Sequence, residues 1–496
     1  MATLSDLPAE IVHRIIGYII LPEFGEVYKS DHPKVLDPNA IEAGQRKLRP
    51  HELLYPLGRP LGQATPGGFW YFRQDVSSNP LLPLSLINRT FQACAQEILF
   101  KNVPLMSRRR AGLLLRALTR SSSDDQLTGA RMDSSDKPNT REECDSEEMR
   151  PSGTNPHPHL SRLAQHVRTL QLRWRGLRSM HNGTKGGCSL FCDIIRSCPL
   201  LKNVAIQPTF SKECREPLLD ALASRQLIKE FVILRDDSDI DERSSTFQWS
   251  LDDLLGRLFP KWDFLETVEL RELVGESKKE KSQIGTAQKP KLNCAIQSMI
   301  LHDPKINADE LSVLLNSFRD SLRTLEIDGP CWAIGRAGIC RILKECTNPE
   351  LECLKLYWCV NCYEGRRDFE DLESDDPETN PGLLDIIFKS PSALRNLKSL
   401  SFAGKIATPK LFERLPDSIV KIAWSGDCIT LYQFSDILSS TREDKEILPN
   451  LKCCSIHSFG YGTTREVVEA ACKARGACAH IDLISNIRFR ANVYDR

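Results

Sequence analysis

One six-residue rhythm constrains this chain more than any other feature: an aliphatic residue, two others, an aliphatic, one other, an aliphatic. It runs through Val167-Leu170-Leu172, Leu201-Val204-Ile206, Ile228-Phe231-Ile233, Leu265-Val268-Leu270 and Ile296-Met299-Leu301. It continues through Leu322-Leu325-Ile327, Leu351-Leu354-Leu356, Leu397-Leu400-Phe402, Ile419-Ile422-Trp424 and Leu451-Cys454-Ile456. Single matches arise by chance among scattered leucines, but ten in order, 22 to 46 residues apart, indicate internal repetition. The closing aliphatic-x-aliphatic has period two, which in a strand sends two side chains into a core and the residue between them to the other face. Between the triplets, residues 190–198, 218–222, 251–259, 311–318, 339–346 and 383–388 carry apolar residues three and four apart, as amphipathic helices do. Strand followed by helix, repeated, stacks into an α/β solenoid with a parallel sheet inside and helices outside. The rival is an all-helical solenoid, whose repeats would contain no period-two triplet.

The rhythm resembles the leucine-rich repeat, L-x-x-L-x-L-x-x-N/C-x-L. Leu351-Glu-Cys-Leu354-Lys-Leu356-Tyr-Trp-Cys359 matches through the cysteine position, whereas the other repeats do not, so an irregular array without most of its inner Asn or Cys ladder is expected. The segment Cys198-Pro-Leu-Leu-Lys-Asn-Val204 has the C-P-x-L-K-x-L phrasing of intracellular repeats of this type. The array is placed at 159–496, with a lysine-rich loop insertion at about 276–291 and an acidic one at about 364–382. Such charged blocks are expected to be solvated loops. Repetition also explains the length, since 496 residues exceed the about 100–200 of a single domain.

Residues 121–158 offer almost nothing apolar to bury and are expected to be a disordered linker. Upstream, residues 1–120 read as a small helical unit. Its opening, Leu4-Ser-Asp-Leu7-Pro8-Ala-Glu10-Ile11, suits a helix start, because proline is tolerated in a first turn and a carboxylate favours the positive end of the helix dipole. Leu7, Ile11 and Ile15 share a face, and a second helical stretch runs from Leu84 to Phe100 before a stripe at Leu113, Leu114 and Leu118. LSDLPAEIVHRII and LPLSLINRTFQACAQEILFKNVPL resemble the two halves of an F-box. That resemblance implies docking on a Skp-type adaptor and, through it, a cullin–RING ubiquitin ligase of SCF type, with the downstream repeats capturing a protein substrate. It places adaptor contacts on Leu7, Pro8, Ile11, Ile15, Leu84, Asn88, Phe91 and Leu99. The halves are separated by an insertion at about 22–80 that contains Phe69-Trp70-Tyr71-Phe72. This is either a loop expansion whose aromatics pack back on the helices or an element that modifies or blocks adaptor docking.

Charge and composition exclude several classes of function. Sixty-six basic and 66 acidic residues leave no net charge, which removes the bulk attraction on which nucleic-acid binders depend. The apolar run from Ile15 to Leu21 is broken by Gly17 and falls far short of the roughly 20 residues of a membrane span. No nucleic acid and no membrane is therefore expected as a partner. Eighteen cysteines without a secretory opening suit a reduced cytoplasmic or nuclear protein in which most are small buried hydrophobes. There is no phosphate-binding glycine loop, no H-E-x-x-H and no nucleophile elbow. Cys359-Val-Asn-Cys362 is a lone pair where structural zinc normally takes four ligands, so it reads as core or loop. Cys453 and Cys454 should lie on opposite strand faces, one buried and one exposed.

No catalytic residue, metal or cofactor is expected. A ligase receptor needs none, because it contributes proximity. Its binding surface would be the strand positions between and just after the core residues, among them Gln171, Lys355 and His457. Arg173, Gln207, Arg271, His302, Asp328 and Tyr357 are the candidate substrate contacts. The alternative function is a repeat scaffold that binds protein without any ligase link.

Overall fold

The computed structural model describes residues 7–16, 81–105, 107–119, 160–172, 186–206, 210–233, 247–275, 292–329, 334–357, 382–390, 394–404, 406–425, 429–442, 445–458 and 465–483. The linker 121–158, the insertion 22–80, the loops 276–291 and 364–381 and the Cys359/Cys362 pair lie outside the described residues.

All ten triplets form strands. With one more at each end they give β1 (Asn102–Leu105), β2 (Thr169–Leu172), β3 (Asn203–Ile206), β4 (Glu230–Ile233), β5 (Thr267–Arg271) and β6 (Ser298–His302). There follow β7 (Thr324–Asp328), β8 (Cys353–Tyr357), β9 (Ser399–Ala403), β10 (Lys421–Ser425), β11 (Cys453–Ser458) and β12 (Cys478–Leu483). They make one 12-stranded sheet whose spatial order is the chain order. Neighbours pair in parallel, in the register the triplets dictate, for example Val268 with Met299 and Leu270 with Leu301. These aliphatics form one continuous buried core with the intervening helices. The chain is an α/β solenoid of leucine-rich-repeat type.

The repeat array begins earlier than residue 159. Strand β1 pairs with β2, and Leu105, Ala111, Leu114 and Leu118 belong to the repeat core. Residues 102–119 are thus the first repeat unit, although the sequence reading grouped them with the helices upstream. Strand β1 carries Pro104, which has no N–H for a ladder, and it occupies a sheet edge, where proline is tolerated.

Hydrogen bonding continues beyond the strands. In the residue after each opening aliphatic, the backbone N–H donates to the equivalent carbonyl one repeat earlier. Examples are Lys202 to Arg168 (2.8 Å), Glu266 to Lys229 (2.9 Å), Arg323 to Gln297 (2.8 Å) and Lys452 to Val420 (2.8 Å). Past β5, β6 and β7 the chain turns through left-handed backbone at Glu272, Asp303 and Gly329. A Cβ at Gly329 would run into the Asp303 carboxylate. Two helices start on capping boxes legible in the sequence, Asn307 with Glu310 and Thr430 with Gln433. Those over 251–258 and 335–346 widen into π-helical turns at Asp253–Leu258 and Ile342–Cys346, which apolar spacing alone does not reveal.

The N-terminal unit has a separate core of Val12, Ile16, Phe91, Cys94 and Ala95, built from α1 (residues 9–16) and α2 (Arg89–Lys101). Helix α2 leads directly into β1. Of the 13 described cysteines eleven are buried, as expected of small apolar side chains.

Candidate protein-binding face

Residues that alternate with the core aliphatics point to the other face of the sheet. On β5–β8 the register sets Arg271, His302, Asp328 and Tyr357 side by side in one row. These are four of the six candidate substrate contacts, contributed by four successive repeats. Arg173 and Gln207, together with the side chain of His457, lie outside the described residues.

Behind that row stand Glu269, Ile300, Glu326 and Lys355. His302 is held between two carboxylates, Nδ1 at 3.2 Å from Asp328 and Nε2 at 3.5 Å from Glu269. Lys355 meets Glu326 at 3.3 Å, and Arg271 meets Asp303 at 3.5 Å. The patch is therefore largely neutralised from within, and the His302 side chain is only 13% exposed. Burial alone would lower its pKa. The contacts to Asp328 and then Glu269 outweigh that, against the nearby Arg271 charge, and lift it from the ordinary 6.5 to about 9. At neutral pH the ring is an imidazolium, which makes it an anchor for the two acids and a poor general base.

A group whose pKa is higher in the folded protein stabilises it fully below its unfolded pKa and loses that contribution as pH rises through the folded value. The stabilisation from His302, at most about 3 kcal/mol, is thus present near pH 6 and gone above about pH 9. Unfolding free energies at pH 6 and pH 9.5 should differ by more in the wild type than in His302→Gln. Equal differences would mean that the clamp contributes nothing.

One expectation needs correction. Residues between the two core aliphatics are not, in general, surface residues: Gln171, Ala205, Val232, Ile300, Ser401, Ala423 and Ser455 are all buried. A mid-strand position has a neighbour about 4.8 Å away on either side and others fore and aft, so side chains there sit below longer ones. Cys453 and Cys454 do face opposite ways, but both are buried.

The sequence reading also passed over the strand-entry row. Its rungs include Lys101, Arg168, Lys202, Lys229, Arg323, Lys398 and Lys452, against only Glu266 and Glu352. The two acids pair with neighbouring rungs, Lys229 to Glu266 at 2.9 Å and Lys398 to Glu352 at 3.1 Å. Aligning the triplets on their first aliphatic would expose this row, because the recurrent Lys or Arg always stands one residue later.

In the N-terminal unit the eight candidate adaptor contacts separate by depth. Phe91 is 1% exposed and belongs to the interior. Asn88 caps α2, its Oδ1 accepting from the Phe91 N–H at 2.9 Å. The Pro8 carbonyl accepts from the N–H groups of Ile11 and Val12, which starts α1. Leu7, Ile15 and Leu84 are half-buried around Val12 and Ile16, whereas Pro8, Ile11 and Leu99 are exposed. Leu86 and Ile87 are exposed apolar residues that the sequence reading did not single out.

No protein-family model matches this chain, and no curated protein does. Solved structures do resemble it. One is the Rad7 and Elc1 complex in yeast, at 18% identity over 60% of this chain and 71% of that one, with a TM-score of 0.34. Another is a protein from Bacteroides fragilis, at 14% identity over 57% of this chain and 66% of that one, with a TM-score of 0.30. A third is the leucine-rich repeat-containing protein LegL7 from Legionella pneumophila, at 12% identity over 62% of this chain and 91% of that one, with a TM-score of 0.33. At these values none bears on function. Among the described residues no helix is long and apolar enough to cross a membrane.

Proposed function

We propose that this protein is a non-catalytic substrate receptor of an SCF-type cullin–RING ubiquitin ligase. The observation that carries the reading is the union, in one chain, of a two-part F-box-like helical unit having its own core with a repeat sheet that presents a polar row. The first part would dock on a Skp-type adaptor through Pro8, Ile11 and Leu99, flanked by Leu7, Ile15 and Leu84. Asn88 and Phe91 would support that surface from within. The second part would hold a protein substrate against the row Arg271, His302, Asp328 and Tyr357, with Arg173 and Gln207 as further candidate contacts. Catalysis by proximity asks nothing more of the receptor.

Co-purification of the full chain with a Skp-type adaptor tests the reading. Ile11→Asp combined with Leu99→Asp changes two exposed positions, so the fold is retained, and adaptor affinity is expected to fall by about 30-fold or more. Adaptor binding unchanged by the pair overturns the assignment of the docking surface. A wild-type chain that captures a protein partner through its repeats but never the adaptor overturns the ligase link and leaves a protein-binding scaffold.

A further inference from the structure

The last two strands bring together three metal-ligand side chains that the proposed function does not use. Cys453 opens β11, Cys478 opens β12, and the two are register partners on the face opposite the core. His480, two residues along β12, faces the same way. One sulfur from each cysteine and a ring nitrogen of His480 all lie within 4.8 Å of one another. Zinc–sulfur and zinc–nitrogen bonds of about 2.3 and 2.0 Å make the edges between two sulfurs and one nitrogen in a tetrahedral site roughly 3.5–3.8 Å long. Small side-chain rotations would close the trio around an ion, with no strand having to move.

A second observation concerns the same histidine. The Nε2 atom of His480 is buried and has no hydrogen-bond partner among the described residues. A buried, unpartnered imidazole nitrogen is costly unless something occupies it. Burial also lowers the pKa of this ring, which keeps it in the neutral form that binds metals. The Cys453 thiol, too, is held in its protonated form. Burial first, and then contact with Cys478, pushes Cys453 up to about 12, while the charge of Lys421 on the adjacent strand pulls the other way. A divalent cation reverses that balance, displacing both thiol protons. Two thiolates, one neutral imidazole and Zn2+ then sum to zero charge, which suits a site that includes a buried sulfur. Cys478 Sγ also lies 3.3 Å from the Lys452 carbonyl. The buried pair Cys454 and Cys472, 3.4 Å apart, lies on the core side and takes no part.

We propose that Cys453, Cys478 and His480 form a zinc site that fastens the edge strand β12 to β11, with its fourth coordination position open. Two sulfurs and one nitrogen in tetrahedral array favour Zn2+ over the oxygen-seeking cations.

The test uses the full chain, reduced and stripped with a chelator, then titrated with Zn2+ alone and with Co2+. We expect one equivalent of tight Zn2+, and thiolate-to-cobalt charge transfer with the intense visible bands of tetrahedral Co2+. Cys478 is exposed, so Cys478→Ser folds, and it should bind Zn2+ about 100-fold or more weakly. His480→Gln should do the same. Zn2+ should also slow amide exchange across residues 478–483 without affecting the opposite edge strand at 102–105. Absence of tight binding, equal binding by the wild type and both variants, or a Cys453–Cys478 disulfide in place of metal overturns the proposal.

Discussion

Trp424→Ala is expected to lower the unfolding free energy by about 3–5 kcal/mol, the range for deleting a large aromatic from a packed interior. Trp424 is fully buried on β10. Its ring lies 4.7 Å from Phe434, 5.7 Å from Phe412 and 6.4 Å from Phe402, centroid to centroid. Those partners come from the helix Leu431–Ser439, the residue after the short helix Pro409–Leu411, and β9. A cavity walled by three separate elements cannot close by shifting one of them, which is why the cost belongs at the high end. The indole N–H, in contrast, has no hydrogen-bond partner among the described residues. Trp424→Phe therefore loses volume but no polar contact, and should cost less than about 1.5 kcal/mol. Urea unfolding of the full chain, followed by far-ultraviolet circular dichroism, separates the two. Similar costs for alanine and phenylalanine would mean that aromatic packing does not hold this end of the array.

Arg215→Ala should be comparably damaging, at about 3–5 kcal/mol, and more damaging than removal of its partner. The Asp253 side chain is 3% exposed and receives the Arg215 guanidinium as a fork, Nε to Oδ2 at 3.1 Å and the second nitrogen to Oδ1 at 2.8 Å. Ser250 Oγ donates to the same carboxylate at 2.8 Å. Without the arginine, a carboxylate stays buried with a single hydroxyl donor. Without the aspartate, the guanidinium, already 46% exposed, turns to water, so Asp253→Ala should cost only about 1–2 kcal/mol. Adding Asp253→Asn to Arg215→Ala should recover part of the loss. Equal costs for the two single changes would contradict this asymmetry. Arg215 and Asp253 stand in successive repeats, so the pair acts between units and not within one.

The repeat sheet was legible because its signal is local and repeated. Each triplet marks its own strand, and ten agreeing triplets outweigh any one ambiguity. Strand β1 was missed because Asn-Val-Pro-Leu offers one alternation and a proline, and β12 because Cys-Ala-His-Ile-Asp-Leu lacks the opening aliphatic pair. Depth was harder to read than direction. Period two says that Gln171 faces away from the core, and only the neighbouring strands determine that it is nonetheless buried. In Ile11-Val12-His13-Arg14-Ile15-Ile16 two apolar stripes run side by side, and the docking of α2 selects Val12 and Ile16 as the inner one. The row Arg271, His302, Asp328 and Tyr357 was legible as a set because all four occupy the same offset from their triplets. The trio Cys453, Cys478 and His480 was not, since its second strand carries no triplet to announce the pairing.

Because spatial order follows chain order through all twelve strands, each unit has just two neighbours, and the molecule behaves as a line of coupled segments. Injury to such a line depends on address. A weakened terminal unit can melt away and leave the remainder standing, whereas the same weakness at β5–β8 divides the array in two and breaks the row formed by Arg271, His302, Asp328 and Tyr357. Mutational tolerance should therefore rise from the middle of the chain toward its ends, as in a bridge whose central span carries the traffic.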